Sequence, residues 1–274
     1  MHAEGSAAAA SRWALLPAAL LGLAAIVLLV LRAPLLGALA LALGLLAAWW
    51  CDAANRSDGL LPDLTAVASG IAVLSLSDLA ADLSDAGMVR FTLVLSGALL
   101  MPYVLIRWVF RREPIAFPWG GWRWNRAQWS YLAVVVVAGY LILPWYFLST
   151  GVYRNWPAVH TSGEIARLFV GVNAVGIWDE LFFICTVFAL YRRHFPLWQA
   201  NLLQAMVFVS FLWELGYQAW GPLLTIPFAL VQGAIFQLTK NLAYVITVHL
   251  LFDLVVFLVL IHGHNPTWPT IFLI

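Results

Sequence analysis

Long apolar stretches separated by short polar connections dominate the chain. The first half carries runs from Trp13 to Leu31, Leu35 to Trp50, Met88 to Phe110 and Trp129 to Leu148. The second half carries runs from Ile165 to Tyr191, Leu197 to Leu215, Leu223 to Leu238 and Leu242 to Ile261. Each approaches the roughly 20 apolar residues that a helix needs to cross a bilayer, and a helix satisfies its own backbone polar groups in lipid. The pattern predicts an all-α fold, a polytopic integral membrane helix bundle with eight transmembrane helices. A ninth candidate, "LLPDLTAVASGIAVLSLSDL", is rich in small residues and carries Asp63. Its pattern fits a span, an interfacial helix or a re-entrant segment equally.

Composition removes the alternatives to a membrane location. Of 274 residues 64% are hydrophobic and 10% charged, with a mean hydropathy of +0.91, far from a soluble domain. The longest polar connection, Arg111 to Gln128, is short and aromatic-rich, so the function must reside in the membrane region. We divide the chain into N-terminal transmembrane helices with a basic loop (1–127) and a C-terminal helix bundle (128–274). Arg12 precedes an apolar run as in a signal peptide, but further spans follow and no convincing small-residue cleavage site appears, so the run is expected to be a retained first span. A net charge of +1 gives no basis for nucleic-acid binding. Cys51 and Cys185 lie in or at the end of apolar runs, which indicates neither a disulfide scaffold nor a cysteine metal site.

The basic residues set the orientation. Arg107, Arg111, Arg112, Arg123 and Arg126 crowd one connection, and the positive-inside bias places it in the cytoplasm. Arg192, Arg193, His194 and Lys240 then close later spans on that side, whereas "GYQAWG" and the acidic loop with Asp78, Asp82 and Asp85 fall outside. The expected location is the plasma membrane, with the C-terminus outside.

Four acids lie inside the eight spans: Asp179, Glu180, Glu214 and Asp253. The spans that carry them offer no obvious cationic partner, and an ionised acid at the bilayer centre costs about 2.5–3.5 kcal/mol even on the lenient insertion scale. At a rise of about 1.5 Å per residue, Asp179 sits roughly 20 Å from Arg192 and Asp253 roughly 20 Å from Lys240. His249 shares a helix face with Asp253, and Glu214 comes out somewhat deeper. Overlapping depths point to one shared intramembrane polar site. His262 and His264 in "HGHNP" are expected in an interfacial loop, and no metal or cofactor is indicated.

These residues also carry a resemblance. "WDELFFI", then an apolar helix with Phe208, then "LAYVITVHLLFD" resembles the CAAX prenyl protease and bacteriocin-processing (CPBP) group of intramembrane glutamic proteases. The motifs of that family are E-E-x-x-x-R, F-x-x-x-H and H-x-x-x-N/D on separate membrane helices, and the likeness spans Ile165 to Phe257. Asp179 and Glu180 match the acidic pair, with Asp in the first place, and His249 and Asp253 match the third motif. The chain departs from the family at Leu212, which stands in the histidine slot, and at Ile184, which stands in the arginine slot. Glu214, two residues after Leu212, is roughly 200° further around a straight helix and replaces the histidine only if that helix is shifted.

The resemblance implies a glutamic-type endopeptidase in which Asp179 or Glu180 activates a water and His249 stabilises an oxyanion, with Glu214 and Asp253 as further site residues. Its partners would be membrane lipid and a membrane-associated protein or peptide substrate. Two alternatives stand beside it: a catalytically inactive membrane scaffold that binds a peptide, and a proton- or cation-coupled carrier with carboxylates at the midplane. No internal repeat supports the carrier.

Overall fold

The computed structural model describes residues 12–268 and 270–273; the segment preceding the first span, and the Arg12 side chain, lie outside what is described. The chain is a helical bundle. Helix α1 (Arg12–Ala25) continues as a π-helical stretch, Ile26–Val30, and is followed by α2 (Pro34–Ala53), α3 (Leu60–Leu74) and α4 (Asp85–Val104), the last with a π-helical end at Leu105–Val109. Helix α5 (Arg126–Thr150) opens the second half. Next comes one long rod built from α6 (Ser162–Asp179), a π-helical stretch Glu180–Phe188 and the short turn α7 (Ala189–Arg192). Helices α8 (Leu197–Leu215), α9 (Pro222–Thr239) and α10 (Leu242–His264) complete the bundle.

Local chemistry fixes several helix starts. Asn125 with Gln128, and Thr161 with Glu164, form reciprocal capping boxes at α5 and α6, satisfying amides that the first turn leaves free. Asp52 at the end of α2 accepts from the Leu60 and Leu61 amides and so caps α3 from outside. The basic connection after α4 folds back across the start of α10, where the Pro118 and Trp119 carbonyls accept from the Leu242 and Ala243 amides.

Among the described residues, seven helices are long and apolar enough to cross a membrane by length and composition, one fewer than the sequence pattern suggests. The difference is α8. It buries Asn201, Gln204, Ser210 and Glu214 along with its apolar residues, and this polar content lowers its hydropathy. Its position compensates: the Asn201 and Gln204 amides donate to the Leu230 and Ala229 carbonyls of α9, so lipid does not have to solvate them.

The undecided segment around Asp63 is α3, a helix of 15 residues and mostly buried. Its first turn lies at the end of the bundle that carries the basic residues. There Asp63, fully buried, is held by His194 Nε2 at 2.8 Å, Arg193 Nη1 at 3.1 Å and Arg112 Nε at 3.5 Å. The connection that follows α3 brings Asp78 to 3.6 Å from Arg32 at the opposite end. Thus α3 runs through the bundle between its basic and acidic ends, as its longer neighbours do.

Candidate active site

Three of the four acids converge. Asp179 ends α6, Glu180 begins the π-helical stretch, and α10 brings His249 and Asp253 against them. All four side chains are buried. His249 Nδ1 lies 2.7 Å from Glu180 Oε1, a hydrogen bond, while its Nε2 faces Asp179 Oδ2 at 3.6 Å and Asp253 Oδ1 at 3.8 Å. The imidazole is therefore wedged between Glu180 on one side and the two aspartates on the other.

The π-helical register explains how adjacent acids reach opposite sides of one ring. Thr186 Oγ1 donates to Leu181 O, five residues back, in keeping with the i→i+5 spacing that defines such a stretch and that recurs at functional sites. Gln232 of α9 donates through Nε2 to Glu180 Oε1 at 2.6 Å, which fixes the carboxylate that fixes the histidine. Phe228 stands edge-on to the imidazole with centroids 4.9 Å apart, and Phe208, next to Phe228, lies 6.2 Å from the imidazole and stacks on Phe183 at 4.3 Å. These rings orient His249 and keep solvent from its rear.

A cavity of about 300 Å³ adjoins this layer and is lined by Asp179, His249 and Asp253, a size at the lower limit of ligand sites. Glu180 does not line it. Asp179 Oδ1, Glu180 Oε2 and Asp253 Oδ2 are buried with no hydrogen-bond partner among the described residues, so the layer presents free acceptors to any group that brings donors. Among the described residues, no group of three His, Cys, Asp or Glu side chains has the arrangement to hold a metal ion.

Glu214 lies elsewhere. Arg32 reaches it from the end of the first span, with Nη2 at 2.7 Å from Oε1 and Nε at 3.1 Å from Oε2, so this acid does have a cationic partner, supplied by a different span. The reason is rotation about α8: Leu212 in the histidine slot faces the cavity, and a residue two places on points away from it. Ile184, in the arginine slot, is buried in the apolar core.

Three residues of the site escape a search for charged groups. Gln232 is a neutral amide within an apolar run. Gly176 packs so closely that a methyl group there would overlap Asp253 Oδ2 and come within 3.2 Å of His249 Cδ2. Tyr217, just after α8, lines the cavity between Phe147 and Trp156. Burial, with the charges of Asp253 and Asp179 added, pushes its phenol well above its ordinary range, so it remains a hydrogen-bond donor at physiological pH. A polar residue within an apolar run would have flagged Gln232; Gly176 and Tyr217 carry no such signal.

Fold and site together define a polytopic membrane protein with a carboxylate–histidine cluster beside an internal cavity. Residues 161–255 match the family model described as type II CAAX prenyl endopeptidase Rce1-like, which supports the CPBP assignment and, at family level, a CAAX/CPBP-type membrane peptidase. No curated protein and no solved structure matches the chain.

Proposed function

We propose that the chain is a membrane-embedded peptidase that hydrolyses a membrane-associated protein or peptide within the bilayer, by water attack at the Asp179–Glu180–His249–Asp253 layer. The observation that carries this reading is the placement of His249, bonded to Glu180 behind it while Nε2 faces Asp179 and Asp253 at the cavity wall. Asp179 is the general base: it lines the cavity and keeps an unpartnered oxygen. It takes a proton from water as the hydroxide adds to the scissile carbonyl, and returns that proton to the leaving amine as the C–N bond breaks. His249, protonated, donates from Nε2 to the developing oxyanion, and the Tyr217 hydroxyl in the same cavity is a second donor. Glu180, held by Gln232, orients the imidazole in the way a buried carboxylate orients a catalytic histidine. Asp253 shares protons with His249 and takes no direct part in bond breaking. Glu214 belongs to the structural pair with Arg32. The protein resides in the plasma membrane with its C-terminus outside.

A binding-only role is favoured by one observation, the exposure of Leu212 to the cavity where the family places a histidine. The two readings separate in an inventory of new peptide N-termini from membranes of cells that produce the parent chain, Asp179→Asn or no protein. The peptidase reading expects termini present with the parent alone. Identical inventories for parent and Asp179→Asn would leave binding without cleavage.

A further inference from the structure

The lining of the cavity divides cleanly along the helices. From the α6 rod it takes Leu168 through Asp179 and nothing beyond; from α10 it takes His249, Asp253 and Val256 and nothing before; from α8 and its following turn it takes Leu212, Leu215 and Tyr217. These are the parts of each helix that lie between the reacting layer and the acidic end of the bundle. Toward the basic end the same helices contribute Phe183, Val187, Tyr191, Phe208 and Val245, all fully buried. The site therefore opens in one direction only.

The remaining wall comes from the connection before α4 (Ala81, Asp82 and Leu83), from the first half of α4 between Met88 and Ser96, and from Trp156. At the base of this opening the Trp178 indole donates to Leu95 O at 2.7 Å, tying the α6 rod to α4. At its mouth Arg167 pairs with Asp85 at 2.7 Å and donates to Leu83 O at 2.9 Å. Both ends of the Arg167–Asp85 pair are well exposed, and such pairs hold weakly. Thr92 and Ser96, on the cavity wall, are themselves exposed on the outer surface of α4, so the wall between α4 and α6 borders lipid as well as the acidic connection.

Resting on the peptidase reading above, the geometry points to a substrate class: a membrane-borne apolar peptide segment that slips between α4 and α6 from the non-cytoplasmic half of the bilayer, past the Arg167–Asp85 latch. The positive-inside bias puts the basic end, and hence the sealed side, in the cytoplasm. Apart from Asp82 in the connection before α4 and the hydroxyls of Thr92 and Ser96, the walls down to the reacting layer are apolar, which suits a lipid-soluble segment and disfavours a charged soluble peptide. Substrates would thus be exported or membrane-anchored chains cut in their outer half.

Sidedness can be measured without any cleavage assay, so failure here is distinct from failure of the peptidase reading. Cys51 and Cys185 are buried, and the parent protein should resist a membrane-impermeant maleimide. Three single-cysteine reporters are added: Ala86→Cys at the mouth, Leu212→Cys beside the reacting layer and Arg123→Cys at the basic end. The expected result is labelling of Ala86→Cys and Leu212→Cys in intact cells, with Arg123→Cys labelled only in inverted vesicles. Labelling of Arg123→Cys from outside overturns the inference, as does labelling of Leu212→Cys from the cytoplasmic side or from neither side. A second arm tests the lateral route with a photo-crosslinking amino acid at Thr92 and a synthetic leucine–alanine transmembrane peptide in proteoliposomes. Cross-linking to this peptide, but not to a charged soluble peptide of equal length, is expected. The reverse preference, or no cross-link, overturns it.

Discussion

Gly176→Ala tests the site's geometry through stability alone. The added methyl would overlap Asp253 Oδ2 and lie 3.2 Å from both Asp253 Cγ and His249 Cδ2, so the Asp253 carboxylate oxygen must retreat by about 1.5 Å to restore an ordinary contact. Overpacking of this kind costs about 1–3 kcal/mol. Set against it is the helix preference for alanine over glycine, about 1 kcal/mol, which leaves a net loss of about 0–2 kcal/mol in the parent. With Asp253→Ala already in place the overlap is gone, and the same glycine replacement should be neutral or stabilising by up to about 1 kcal/mol. Thermal unfolding of the four proteins in mild detergent reads the coupling, expected at about 1–3 kcal/mol. Additivity within about 0.5 kcal/mol would refute the close packing of Gly176 on Asp253. A displacement of more than about 1 Å in a site residue predicts at least about a 100-fold loss of processing.

Other predictions concern the groups around the site. Arg32→Ala leaves the buried Glu214 without its cation and should cost about 1–3 kcal/mol, less than the loss of a fully buried partner because Arg32 itself is largely exposed. Glu214→Gln should cost less than about 1 kcal/mol and should rescue Arg32→Ala in thermal unfolding, and equal losses for the two single variants would contradict that asymmetry. Tyr217→Phe should change stability by no more than about 0.5 kcal/mol while lowering turnover about 100-fold. A parental rate in Tyr217→Phe would remove the phenol from the reaction.

Much of this organisation was legible in the sequence, and what was not has physical causes. Hydropathy marked the long helices because lipid demands a continuous apolar run. It leaves α3 undecided because the segment is rich in small residues and carries Asp63, whose partners Arg193 and His194 stand 130 and 131 residues away. Glu214 was grouped with the other acids for the same reason: Arg32 is 182 residues distant, and only the packing of the first span on α8 reveals the pair. Asp179, Glu180, His249 and Asp253 stood out as ionisable groups at matching depth, and the structure gathers them. Their unequal placement is not visible there, since a straight helix gives no hint of the π-helical register that turns Glu180 behind the imidazole and leaves Asp179 at the cavity. Gln232 is marked only by being polar within an apolar run, and Gly176 and Tyr217 draw no notice until the neighbours they touch are known.

The central claim is that Asp179, His249 and Glu180 act as one water-activating unit. It is tested most directly by turnover of a substrate, taken from the inventory of new N-termini, with purified protein in lipid vesicles made up in ¹⁸O-labelled water. The parent should place one labelled oxygen in each new C-terminal carboxylate, and Asp179→Asn, His249→Ala and Glu180→Gln should each lose about 10²–10⁴-fold in rate while remaining folded. Parental turnover in His249→Ala, or an equal rate in Asp179→Asn, would contradict the account.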